Sequence, residues 1–166
     1  MLKKDQTAAA LAKKLVREFS QRGITVGSAE SCTGGLVAKL ITDVCGSSAV
    51  LSGAFVTYTN EIKIGVLGVD PKVIETHTEV SLACAEQMAC CARDRLGVTL
   101  AVSTTGYAGP SGGTERDPVG TVYLAVASPK GVRSERFSAP AGANRRTVRN
   151  AAAKRALELL LLSADE

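Results

Sequence analysis

The sequence predicts an α/β fold of three layers, α/β/α, with a mixed central sheet. Three observations carry this expectation. In the first half, short apolar runs alternate with stretches of helical spacing, a pattern that calls for parallel strands joined by helical crossovers. Three strand-like runs then follow one another between residues 98 and 138, which calls for hairpins. The final stretch returns to helical spacing and is rich enough in leucine to close a core. With 166 residues, 45% of them hydrophobic and 22% charged, the chain is expected to form one domain, residues 1–166.

Each element has its own signal. Residues 6–22 form an amphipathic helix, with Leu11, Leu15 and Phe19 recurring every fourth residue, and Gly23 closes it. Residues 24–29 read as a strand and 33–44 as a helix, followed by a Gly46-Ser47-Ser48 loop. Residues 50–58 are strand-like. Asn60 reads as the cap of a short helix that Gly65 and Gly68 break, and Asp70-Pro71 starts another. Ser81 caps a longer helix over 82–96, whose buried stripe is Ala85, Met88, Ala89, Ala92 and Leu96 with Cys84 and Cys91 alongside; Gly97 ends it. Strands are expected over 98–105, 119–127 and 132–138, with a glycine-rich loop from 106 to 118 and a turn at Pro129-Lys130-Gly131. A helix over 144–162 and a frayed tail from Ser163 complete the chain.

The bulk numbers narrow the function. A net charge of +4 permits an anionic ligand but leaves no dense basic stripe for nucleic acid. Three Phe, three Tyr and no Trp provide poorly for base stacking. The five cysteines (Cys32, Cys45, Cys84, Cys90 and Cys91) are odd in number, contain no C-x-x-C pair and have only His77 beside them, which argues against zinc and for free thiols in a reducing compartment. Residues 1–5 lack the apolar core of a signal peptide, and no apolar run approaches the ~20 residues of a membrane span. A soluble, cytoplasmic protein without membrane or nucleic-acid partners is expected.

In an open α/β sheet the site lies at the carboxyl ends of the strands. Three loops meet there: those after residue 29, after Tyr58 and after Thr105. The first holds Ser28-Ala29-Glu30-Ser31-Cys32-Thr33-Gly34-Gly35 at a strand-to-helix turn, a place that suits an anion or an oxygen becoming one. A plain N-cap with turn glycines accounts for the same residues. No P-loop pattern and no G-x-G-x-x-G after the first strand are present. His77 sits in a polar stretch, which leaves a lysine as the base for a serine nucleophile. Lys63, in a first helical turn with no acidic residue at i±3 or i±4, is well placed for a depressed pKa, although a surface lysine beside Glu61 is the plainer reading of the same residue. Tyr58, at the end of the same strand, is read either as a proton relay bridging Ser31 and Lys63 or as a core-edge tyrosine. Arg145 and Arg149 share one face at the start of the last helix, where a phosphate or carboxylate would offset their charge; a solvated basic face explains them equally.

Taken together, residues 28–35, Gly46-Ser47-Ser48, Val56-Thr57-Tyr58-Thr59-Asn60-Glu61-Ile62-Lys63, residues 105–113 and Pro118-Val119-Gly120-Thr121-Val122-Tyr123 resemble the CinA C-terminal domain family, from the first helix to the last. The resemblance implies hydrolysis of the amide of nicotinamide mononucleotide (NMN) to nicotinic acid mononucleotide and ammonia. In some members this domain follows one similar to molybdopterin-binding proteins; the present chain resembles the stand-alone form. Ser31 falls on the family's nucleophile, Lys63 on its lysine, Tyr58 on its tyrosine and Arg145 on its arginine. On that basis Thr33, Gly34 and Gly35 supply an oxyanion shelf, Glu30 and Ser48 position the reacting groups, and Thr105, Gly106 and Arg145 hold the ribose phosphate. No metal or cofactor is implied, and a homodimer is. Two positions depart from the family pattern: Tyr107 stands where Ile or Val is usual, and Thr104-Thr105 replaces a Ser-containing pair. A nucleotide-binding module without catalysis, and an amidase for another small carboxamide, are the competing readings.

Overall fold

The computed structural model describes residues 6–165; residues 1–5, read above for a signal peptide, and residue 166 lie outside the described residues. Thr7 Oγ1 accepts the Ala10 N–H and starts α1 (Ala8–Arg22), two residues later than the spacing predicts. Then come β1 (Val26–Glu30), α2 (Leu36–Thr42), a 3₁₀ turn (Ser47–Ala49) and β2 (Leu51–Val56). They are followed by α3 (Asn60–Ile62), α4 (Pro71–His77), α5 (Leu82–Leu96), β3 (Leu100–Gly106), β4 (Thr121–Ser128), β5 (Gly131–Ser138) and α6 (Arg145–Ser163). The order of helices and strands is the one predicted, and the fold is α/β with a mixed sheet.

The sheet runs β2-β1-β3-β4-β5. β1 is parallel to β2 and β3, while β4 is antiparallel to β3 and β5. The two faces differ in side-chain size because strand residues alternate. Val26, Leu100, Val102, Leu124 and Val126 face α1, α2 and α6 in the larger core. Ala29, Ala101, Ala125 and Ala127 face α5, whose own stripe is Cys84, Ala85, Met88, Ala89 and Ala92. Small residues on both sides let α5 lie close enough for Ser103 Oγ to donate to the Ala85 carbonyl at 2.5 Å.

Several local expectations change. The predicted 33–44 helix starts only at Leu36, so residues 31–35 form a free-standing turn; Gly34 and Gly35 take φ of +60° and +92°, which a side chain resists. Thr59, not Asn60, caps α3. Gly65 does not break the chain there. It lies inside one π-type turn, Lys63–Leu67, that ends at Gly68 with φ +93°. Ser163 is buried as the last residue of α6, and Arg22 holds the following residues through Asp165 (2.9 Å), so this end is tied down rather than frayed.

Candidate functional site

The carboxyl ends of β1 and β3 lie side by side, with Glu30 paired to Thr104 and the Ser31 N–H donating to the Thr104 carbonyl at 2.9 Å. This carries the chain into the turn of residues 31–35. Glu30 is fully buried there. Its carboxylate accepts four hydrogen bonds: Ser28 Oγ (3.1 Å), Thr33 Oγ1 (2.7 Å) and the backbone N–H groups of Val37 (3.0 Å) and Ala38 (2.9 Å). The exposed end of the α2 dipole therefore has its anion already, supplied from the strand before it. Thr33 spends its proton on Glu30, so the Thr104 hydroxyl donates to Thr33 Oγ1 across 2.7 Å. Gly34 donates its N–H to the Ser31 carbonyl.

The far side of the turn is fixed by Arg149. Its Nε donates to the Cys32 carbonyl at 3.1 Å and its Nη2 to the Thr33 carbonyl at 2.8 Å. Arg149 thus braces the turn instead of facing an anionic ligand. Arg145 reaches elsewhere, to the Gly109 carbonyl (2.7 Å) and the Tyr58 hydroxyl (2.8 Å).

Lys63 opens the π-type turn after α3 and points inward, with 1% of its surface exposed. Its Nζ lies 3.0 Å from the Thr57 carbonyl and 3.3 Å from Ser31 Oγ. Burial lowers its pKa from the ordinary 10.5, against the pull of Cys84, Glu79, Cys32 and Glu61. A neutral amine keeps two N–H bonds and one lone pair. One N–H suits the Thr57 carbonyl, and the lone pair suits the Ser31 hydroxyl proton. The Cys32 thiol beside Ser31 is pushed up to about 12, chiefly by burial, and stays protonated.

These groups border a cavity of about 180 Å³ lined by Ser31, Lys63, Glu79, Thr105, Tyr107 and Arg145, with Cys32, Tyr58, Val80, Gly106 and Ala108 completing it. A second cavity, of about 450 Å³, adjoins it, with Val80 and Tyr107 bordering both; Arg116, Asp117 and His77 are among its other walls. Thr105 Oγ1 donates to the Glu79 carbonyl at 2.6 Å, tying the α4–α5 connection to β3. At Gly106 a Cβ would collide with the Thr121 carbonyl oxygen, so only glycine lets β4 pass this close.

Of the residues singled out in the sequence, Ser31, Lys63, Tyr58, Thr105, Gly106 and Arg145 meet at the cavity. Glu30, Thr33, Gly34 and Gly35 do not line it; they build the turn beneath it. Tyr58 is exposed and bonded to Arg145, while Lys63 reaches Ser31 directly, so no relay is required. Ser48 lies before β2, at the amino end of the parallel strands, opposite the carboxyl end that carries Ser31, and it does not line the cavity. Sequence reasoning missed Glu79, which nothing in its spacing ties to Ser31. Among the described residues no three His, Cys, Asp or Glu side chains cluster to hold a metal ion, and no helix is long and apolar enough to cross a membrane.

Comparison with known proteins places this geometry in a family. The profile described as CinA C-terminal domain matches residues 8–163. A CinA-like protein of Myxococcus xanthus is 47% identical over 153 residues, covering 91% of this chain and 36% of the relative. One of Synechocystis is 48% identical over 130 residues, covering 78% and 30%. The chain thus spans about a third of the length of these curated relatives. Among solved structures, the competence/damage inducible protein CihA from Agrobacterium tumefaciens superposes with a TM-score of 0.92 at 38% identity, each chain covered in full. A CinA superfamily protein from Escherichia coli gives 0.89 at 28% identity, with 97% of this chain and 92% of that one covered. The chain belongs to the CinA C-terminal domain family.

Proposed function

We propose that the chain is an amidase acting on nicotinamide mononucleotide as one domain, by a Ser31–Lys63 mechanism. The observation that carries this reading is the buried Lys63 amine 3.3 Å from Ser31 Oγ, with burial lowering its pKa. Ser31 Oγ attacks the carboxamide carbon while its proton passes to Lys63 Nζ. Collapse of the tetrahedral intermediate breaks the C–N bond, and Lys63 returns the proton to the departing nitrogen, which leaves as ammonia. Water then attacks the acyl-enzyme, again through Lys63, and nicotinic acid mononucleotide departs. Because the Ser31 N–H is spent on the Thr104 carbonyl, the Gly34 N–H on the Ser31 carbonyl, and residues 33–35 do not line the cavity, the oxyanion donor in this reading is the Cys32 N–H at the cavity wall.

The cavity suits a substituted pyridine ring, and the ribose phosphate extends toward its mouth and the adjoining larger cavity. Arg145 supplies the cation for the phosphate. Two of its five N–H donors are committed to Gly109 and Tyr58, which leaves others for an oxyanion. The homodimer is part of the same reading, supported by the edge position of β2 and by exposed Val56, Ile62 and Val66 beside the site; sedimentation of the purified protein reads it.

The test is ammonia release from nicotinamide mononucleotide by wild type and Ser31→Ala side by side. Release by the wild type and none by the variant is expected. Binding without release in both would make the cavity a nucleotide-binding module, and release from other carboxamides alone would move the substrate.

A further inference from the structure

Glu79 has no role in the chemistry just described, yet it is the one carboxylate among the residues lining the cavity beside Ser31. Its backbone is held by the Thr105 hydroxyl, so the side chain is presented from a fixed point. Among the described residues no hydrogen-bond donor or cationic group pairs with its carboxylate. The other charged groups on this wall are accounted for. Arg145 is bonded to Gly109 and Tyr58, and Lys63 is engaged with the Thr57 carbonyl and Ser31. The charge of Glu79 reaches Lys63 and Tyr107, which line the same cavity.

A half-buried carboxylate without a partner, next to a lysine that must stay neutral, carries a penalty, because its charge pulls the Lys63 pKa upward. A cation delivered by the ligand would remove that penalty. Arg145 on one side and Glu79 on the other also make a cavity that is itself zwitterionic, matched to a ligand carrying a cationic ring and an anionic phosphate. The Tyr107 ring lines the same cavity and offers an aromatic wall to a flat cation.

Building on the amidase reading, we infer that Glu79, with Tyr107, recognises the positive charge of an N-substituted pyridinium ring and makes the site selective for cationic over uncharged-ring carboxamides. Nicotinamide mononucleotide has such a ring. Its reduced, dihydropyridine form keeps the ribose, the phosphate and the carboxamide but has a neutral ring. The pair therefore isolates the ring charge.

The experiment measures kcat/KM for ammonia release, and separately Kd by calorimetry in a Ser31→Ala background, for both compounds with Glu79, Glu79→Gln and Glu79→Asp. Intrinsic reactivity differs between the two rings but cancels when the oxidised-to-reduced ratio is compared across variants. The ratio is expected to fall about tenfold in Glu79→Gln, the equivalent of about 1.4 kcal/mol, and to stay nearer the wild-type value in Glu79→Asp. An unchanged ratio in Glu79→Gln, in either kinetics or binding, overturns the inference. If the wild type releases no ammonia at all, the amidase reading fails, and the Kd ratio alone then decides the charge recognition. The melting temperature of Glu79→Gln is expected to stay near wild type because the carboxylate accepts no hydrogen bond from the described residues.

Discussion

Two ionisable side chains are withdrawn from water beside Ser31, and the fold treats them in opposite ways. Glu30 meets four donors, two of them the backbone amides that open α2. Lys63 meets one carbonyl and one hydroxyl. A buried charge that is fully hydrogen-bonded is a structural member; one that is not gives up its charge and becomes available for proton transfer. Their positions follow from this. Glu30 lies below the turn and Lys63 opens on the cavity.

The sharpest way to break the comparison is to remove Lys63. Lys63→Ala is expected to cut kcat/KM for ammonia release at least about a thousandfold, as loss of one member of a nucleophile–base unit does. Lys63→Arg is expected to fail as badly, because a guanidinium does not deprotonate near neutral pH. Circular dichroism should show both folded. Turnover by Lys63→Ala within tenfold of wild type would remove the base from the mechanism.

Glu30→Gln is expected to act on the other side of the comparison. It replaces one acceptor oxygen by an NH₂ group facing donors, leaving buried N–H groups unpaired at a cost of about 3 kcal/mol. For a chain of this size that lowers Tm by roughly 10 °C, read by thermal melting. If stability holds and only the rate falls, Glu30 belongs to the chemistry and not to the frame.

These roles also mark what a sequence can carry. The layers, the order of elements and the three converging loops follow from apolar periodicity and turn residues, and they appear as expected. Ser31 and Lys63 are legible because their spacing from strand ends is local. The use made of Glu30 is not, since its partners Val37 and Ala38 lie a turn further on and only three-dimensional closure brings their amides back. Arg149 shows the same limit. Its charge reads as an anion site, but its donors find the carbonyls of Cys32 and Thr33, 117 and 116 residues earlier in the chain. Ser48 shows it again, because a motif gives spacing along the chain and not which end of the sheet a residue occupies.

The pH dependence follows from Lys63. Its folded-state pKa lies below the unfolded value, so kcat/KM should rise with pH along a limb below 10.5. Stability has the same sign. Between the two pKa values the unfolded chain holds the extra proton, so stability rises with pH and the burial penalty is fully present below the folded pKa. Lys63→Met lacks that term and is expected to be more stable than wild type at neutral pH. The gap should narrow as pH approaches 10.5, which chemical denaturation at a series of pH values can follow.

The smallest effect concerns the thiol next to Ser31. Cys32 is buried, and its pKa of about 12 leaves almost no thiolate at pH 8. Cys45 is exposed, past the carboxyl end of α2 and so at the other end of that helix from the turn. Iodoacetamide at pH 8 is therefore expected to label Cys45 and spare Cys32, as read by peptide mass spectrometry, with ammonia release unaffected. Cys32→Ser should retain turnover within a few-fold. Rapid labelling of Cys32 with loss of activity would mean that its thiol, and not the Ser31 hydroxyl, is the group the Lys63 amine serves; the adjacent side chains would then have to exchange roles.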